Sequence, residues 1–285
     1  MTRAKEFDGV VAEEHVRELY AFLDEADHKW TTAFLTGEAE FAFLLADDDD
    51  VQALAYRDAE GALCCAVILE ECAILTAAFA GEATPETFAT VLADVETAVG
   101  SRGYADIWYG AGNDSFGVYS REGEENAFGN FLKQNGFVLE SVSYDVKHDT
   151  SSIRCEEPGI CRVEKSGPAA LAAYDPAELR RFPGDRCYLA VGEEDGMARG
   201  YVLLDPRSCV MDRICIFDKS PARYRAIKRA LLAAVAADLR DAGMDELIER
   251  NVDQLECQRI PHRFTVCGRY ETLVGKCRPM KESAR

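Results

Sequence analysis

Residues 209–251 read CVMDRICIFDKSPARYRAIKRALLAAVAADLRDAGMDELIERN. The apolar run Cys209–Phe217 suits a buried strand. Asp218-Lys219-Ser220 is a short loop, after which Pro221 opens a helix that runs to Ala242. Gly243 turns the chain, and a second strand ends at Asn251. Tyr224, Ile227, Leu231, Ala234, Val235 and Leu239 share one helical stripe and read as core. The unusual feature is charge. Lys219, Arg223, Arg225, Lys228 and Arg229 crowd the helix start, with Asp218 the only acid among them. A helix N-terminus already carries about half a positive charge, so cations there are unfavourable unless an anion joins them.

Working outward, a helix is expected over Pro168–Arg181 and strands over Cys187–Val191 and Arg199–Leu204. After Asn251 come a short helix (Val252–Gln258) and strands at Arg263–Val266 and Tyr270–Val274. The first half repeats this order. Val11–Ala26 has helical spacing, Phe41–Ala46 reads as a strand, and Val51–Arg57 with Ala62–Glu70 forms a hairpin. Strand Cys72–Ala80 precedes Thr84-Pro85, a helix start, and the helix runs to about Val99. Strand Ala105–Tyr109, a Gly-rich loop (Gly110–Gly117), a helix near Glu124–Asn135 and strand Phe137–Lys147 follow. Phe79…Thr84-Pro85 matches Phe217…Ser220-Pro221, and Gly103…Asn113 matches Gly243…Asn251. Asp149–Gly167 reads as a linker. Two copies of one α/β unit are therefore expected, at 1–149 and 150–285.

Charge divides the same way. Residues 1–150 hold 9 Lys/Arg against 30 Asp/Glu, whereas residues 151–285 hold 23 against 21. The overall balance of −19 argues against nucleic-acid binding. No apolar run reaches the length of a membrane span. The eleven cysteines include no Cys-x-x-Cys pair, and several lie in apolar runs. Buried reduced thiols are expected, with no metal site. Met1–Asp8 shows no apolar signal core, so a cytoplasmic location is expected.

The order helix, hairpin, strand, helix, strand, helix, strand resembles the GCN5-related N-acetyltransferase (GNAT) superfamily, as a tandem pair of the bacterial type. Ala127–Phe137 followed by Ser143-Tyr144-Asp145 looks like that family's closing helix, Gly-Phe turn and last strand. Cys209–Asn251 looks like its strand, pyrophosphate loop and helix. The resemblance implies an α/β (α+β) fold of two GNAT-like domains, each a mixed, mostly antiparallel sheet flanked by helices. It implies acetyl-CoA, or another acyl-CoA, as co-substrate and direct acyl transfer to a small-molecule amine. The acidic first half would suit a cationic acceptor.

The family's loop pattern, Gln/Arg-x-x-Gly-x-Gly/Ala, falls on Arg223–Lys228. Arg223 is kept, Ala226 replaces the first glycine and Lys228 stands at the second position. The resemblance assigns cofactor contacts to Ile216, Phe217, Arg223, Arg225, Ala226, Lys228 and Asn251. Asn251 reads equally well as a helix cap. The matching stretch of the first half, Glu82–Thr87, keeps neither the Arg nor the glycines, so the first domain is read as the degenerate copy. The family's tyrosine acid is replaced by Leu132 in the first half and about Gln258 in the second. Glu249 is the candidate base and Tyr270 the candidate acid. The alternative is a catalytically degenerate GNAT-fold module that binds a ligand or a protein.

Overall fold

A computed structural model describes residues 1–8, 11–26, 41–42, 45, 51–81, 83–110, 118–121, 125–154, 161–166, 185–205 and 209–277. In chain order its strands and helices are β1 (Thr2–Arg3), α1 (Glu13–Ala26), β2 (Val51–Arg57), β3 (Leu63–Glu70), β4 (Ala73–Phe79), α2 (Pro85–Ser101) and β5 (Asp106–Tyr109). Next come β6 (Val118–Arg121), α3 (Ala127–Gln134), β7 (Val138–Asp149), β8 (Cys161–Ser166), β9 (Arg186–Gly192) and β10 (Ala198–Asp205). β11 (Val210–Ile216), α4 (Pro221–Asp241), β12 (Glu246–Asp253), α5 (Gln254–Cys257) and β13 (Phe264–Lys276) complete the order. The fold is α/β, with mixed, mostly antiparallel strand pairing.

The chain forms two compact units. Unit 1 is Met1–Val142 together with Arg269–Arg285, and unit 2 is Ser143–Gly268. The division expected at 149/150 therefore falls earlier, and the chain's end returns to the first unit. Pairing gives the reason. Ser143–Asp149 of β7 runs antiparallel to β12, from Ser143↔Asp253 to Asp149↔Glu246. Leu273–Lys276 of β13 runs antiparallel to β5, from Leu273↔Tyr109 to Lys276↔Asp106. Each unit's sheet is thus completed by a strand that follows or precedes it across the expected linker. The two strands expected at Arg263–Val266 and Tyr270–Val274 are one strand, because Gly268 keeps a negative or extended φ and makes no turn.

In unit 1, β2, β3 and β4 form an antiparallel meander, and β4 pairs parallel to β5. Ala53 and Ala55 face one core with Leu19, Leu23 and Phe41, while Leu54 and Tyr56 face another with Val91, Val95 and Ile107. Both faces are covered, which explains why these strands read as unbroken apolar runs. Phe41–Ala46, read as a strand, is helical at its described positions 41, 42 and 45. Phe41 and Leu45, about one helical turn apart, both reach the same core.

Unit 2 repeats the plan. β8, β9, β10 and β11 are successive antiparallel neighbours, and β11 pairs parallel to β12. Helix α4 packs Ile227, Leu231, Leu232, Val235 and Leu239 on Tyr188, Val202, Leu204 and Met211. A shared fastening marks the two units. The Tyr56 hydroxyl of β2 donates to Asp94 of α2 at 2.7 Å, and Tyr188 of β9 donates to Asp238 of α4 at 2.5 Å. A basic residue, Arg3 of β1 or Lys165 of β8, pairs with the same aspartate in each unit.

The Gly-rich loop 111–117 and the expected helix Pro168–Arg181 lie outside the described residues. Among the described residues the cysteines are free thiols, and no group of His, Cys, Asp and Glu could hold a metal. No helix there is long and apolar enough to cross a membrane.

Candidate functional site

The parallel strands β11 and β12 pair at Val210↔Ile248 and Met211↔Glu249, where their ladder ends. Beyond this point β11 continues to Ile216, still paired with β10 as far as Gly200. The strands part there, leaving one edge of β11 without a β12 ladder, and the exposed ring of Phe217 lies at the end of that edge. Helix α4 starts four residues later. Ser220 stands at its N-cap but makes no side-chain cap bond, and the first turn has no acid. Ser220 N–H instead donates to Asp218 at 2.9 Å. Arg223 is 68% exposed and reaches Asp218 at 3.6 Å. Arg225 is exposed, and Ala226 is half-buried. Ile216, Phe217, Arg223, Arg225 and Ala226 thus lie at the β11 end and the first turns of α4, as their sequence order demands.

Lys228 is placed differently. Its side chain is only 12% exposed, and its ammonium pairs with Glu249 at 2.6 Å and Glu256 at 3.0 Å. The Glu249 carboxylate also meets His148 Nε2 at 3.1 Å, and His148 Nδ1 meets His262 Nε2 at 2.8 Å. Lys228, Glu249, His148 and His262 therefore form a connected polar chain from α4 through β12 and β7. Burial acts to raise the Glu249 carboxyl, but the charges of Lys228 and His148 outweigh it and lower its pKa to about 2. Burial acts to lower the Lys228 ammonium, but Glu249 and Glu256 hold it raised. Burial, then the charge of His148, lowers His262 to about 4. The structure thus makes Glu249 the buried ion-pair partner of Lys228, and that pairing weakens it as a proton acceptor.

Asn251 has φ +55°, a left-handed conformation that asparagine tolerates better than most residues. It lies in a bulge where the β12–β7 register shifts between Glu249 and Val252. Its side-chain oxygen accepts from the Ser143 hydroxyl, and its N–H donates to Asp145 at 3.3 Å. The cap of α5 is Asp253, which accepts from Leu255 and Glu256 N–H, so the capping role considered for Asn251 belongs to Asp253. Gln258 follows as the helix's C-cap residue. Tyr270 belongs to unit 1, where it is buried and packs on Tyr119 at 5.0 Å between centroids. The structure therefore does not bring Tyr270 into the unit that holds Glu249.

A cavity of about 200 Å³ opens beside α4. Tyr224, Arg225, Lys228 and Arg229 line it from the helix, Glu249 from β12, and Glu256, Arg259 and His262 from α5 and the segment after it. Sequence reasoning missed Glu256, His148, Arg259 and His262.

No protein-family model and no curated protein sequence matches the chain. Solved structures do. A tandem GNAT protein from the clavulanic acid biosynthesis pathway superposes with a TM-score of 0.63 at 10% identity, over 98% of this chain and 99% of that one. A GCN5-related N-acetyltransferase from Sphaerobacter thermophilus gives 0.56 at 12%, over 95% of each chain. The glucosamine N-acetyltransferase region of a fungal multi-domain β-N-acetylglucosaminidase gives 0.61 at 12%, over 96% of this chain. This chain spans 37% of that longer protein. The chain thus has the GNAT fold in tandem.

Proposed function

We propose that unit 2 binds an acyl-CoA and transfers its acyl group to an amine. The observation that carries this is the parting of β11 and β12 beside the uncapped, arginine-bearing start of α4. A parted strand pair exposes backbone N–H and C=O groups that an extended pantetheine arm can pair with. An uncapped helix start offers N–H groups and dipole to a pyrophosphate. Arg223 and Arg225 add cations on that end, and Phe217 gives the edge an apolar surface. An acyl-CoA would supply an activated thioester. The amine nitrogen would bond to its carbonyl carbon as the C–S bond breaks, the electron pair leaving on the CoA sulfur, and the proton lost by the amine would end on that thiolate to give free CoA thiol. The ion pair with Lys228 weakens Glu249 as the proton acceptor expected from the sequence.

Isothermal titration with acetyl-CoA tests the binding step, and thiol release in the presence of an amine panel tests the chemistry. Saturable binding that weakens in Arg223→Glu is expected. No binding by wild type, or equal binding by both proteins, would overturn the reading. Binding without thiol release across the panel would reduce it to a CoA-binding module.

A further inference from the structure

The ladder registers place Tyr109 of unit 1 and Glu249 of unit 2 at equivalent positions, opposite Ile74 and Met211. Counting from Pro85 and Pro221, Leu92 of α2 corresponds to Lys228 of α4. Unit 1 fills these places with Leu92 and Tyr109, both buried in one hydrophobic core cluster. Unit 2 fills it with a buried ion pair. Replacing apolar packing by buried ions is not a route to stability, so the charges call for another explanation.

They form the floor of the cavity beside α4. Four cations (Arg225, Lys228, Arg229, Arg259) line it against two carboxylates (Glu249, Glu256). Its volume of about 200 Å³ lies below the roughly 300–1,000 Å³ of sites that enclose a whole drug-sized ligand, so it suits one anionic group. A phosphate monoester carries about −1.5 to −2 charge near pH 7, close to the cationic excess of the lining. Guanidinium forks match its oxygens.

The two carboxylates on Lys228 differ. Glu249 is fully buried and also held by His148. Glu256 is 28% exposed and lies on the four-residue helix α5 at the cavity. One can leave for water and the other cannot. We propose that the cavity is a phosphate-ester site in which the Glu256 carboxylate occupies the ligand's place on Lys228 until a phosphate ester displaces it. The site is thereby self-blocked, and Glu256 sets the concentration at which it fills. The cavity borders the proposed acyl-CoA site and shares Arg225 with it, but the test below does not depend on acyl transfer.

Phenyl phosphate titrated calorimetrically into the full chain tests the idea. Glu256→Gln should bind it about tenfold more tightly than wild type, because one charge-assisted competitor is gone. Adding Arg259→Ala in that background should reverse most of the gain, whereas Arg223→Glu should leave it. Equal affinity in wild type and Glu256→Gln, no effect of Arg259→Ala, or malonate binding as tightly as phenyl phosphate would each overturn the assignment. Both substitutions lie at the rim, so the fold is spared the loss of Lys228 itself. Acetyl-CoA titrated in parallel separates the sources. Tightening of both ligands by Glu256→Gln assigns the ester to CoA, and tightening of phenyl phosphate alone assigns it to a separate ligand. Phenyl phosphate binding to Glu256→Gln with no acetyl-CoA binding would leave this proposal standing and sink the acyl-transfer reading.

Discussion

Helices α2 and α4 follow equivalent strands in their units, yet their first turns are built for different neighbours. In α2 the Thr84 side chain accepts from Thr87 N–H, and Glu86 in the first turn is held ionised by its own backbone N–H and by Thr84. The helix start is satisfied by its own residues. In α4 Ser220 makes no such bond, no acid follows it, and Arg223 and Arg225 stand exposed. Two turns in, the contrast returns as Leu92 against Lys228. The first copy has the chemistry of a structural helix, and the second keeps polar groups whose use is not packing.

The deepest difference gives the largest effect. Lys228→Met would strand the buried Glu249 carboxylate and cost about 3–5 kcal/mol, as one-sided removal of a buried pair does. Adding Glu249→Leu should recover most of that, since unit 1 already packs Leu92 and Tyr109 in a hydrophobic core at the equivalent places. Chemical denaturation of the single and double variants checks it. A double variant no more stable than Lys228→Met would break the equivalence. Leu92→Ala, the matching truncation in α2, should cost about 2–5 kcal/mol through a cavity instead.

At the helix starts themselves, Arg223→Glu should weaken acetyl-CoA about ten- to a hundredfold, the range of lost charge-assisted contacts. Glu86→Arg in α2 should create no binding, because Thr84 still caps the helix through Thr87 N–H. A second stoichiometric site appearing in Glu86→Arg would show that charge alone separates the copies.

The sequence showed α4 almost to the residue, because Pro221, Gly243 and one apolar stripe mark it. Arg223 and Arg225 were legible by the dipole argument, which is local. The partners of Lys228 were not legible, because Glu249 and Glu256 lie at separations no helical or strand period reports. Phe41 was read as a strand because a short apolar run has no decisive period, and a four-residue spacing puts Phe41 and Leu45 on one face in either conformation. The unit boundary escaped for a related reason. Ser143–Asp149 and Arg269–Lys276 look alike as strands, and which sheet each joins depends on pairing partners far along the chain.

Acid should separate the units further. His262 has its folded pKa lowered to about 4 from the usual 6.5. Its stabilising contribution is therefore present above about pH 6.5 and is lost as pH falls toward 4. Glu249, lowered to about 2 from 4.5, continues the loss between those values. Hydrogen exchange along β12 should accelerate from pH 6.5 downward once corrected for intrinsic rates. His262→Gln should flatten the upper limb and leave the lower one. An unchanged upper limb in His262→Gln would remove the histidine from the account.

The smallest effect tests the comparison where it began. Thr84→Ala should destabilise unit 1 by about 1 kcal/mol, the usual worth of a working cap. Ser220→Ala should cost almost nothing, because its hydroxyl caps no N–H in α4. Saturating acetyl-CoA should protect α4's first-turn amides from exchange in both wild type and Ser220→Ala, and leave those of α2 unchanged. Equal costs for the two substitutions would mean that the α4 start is capped in solution like its counterpart, and the open helix end that supports the anion reading would be lost.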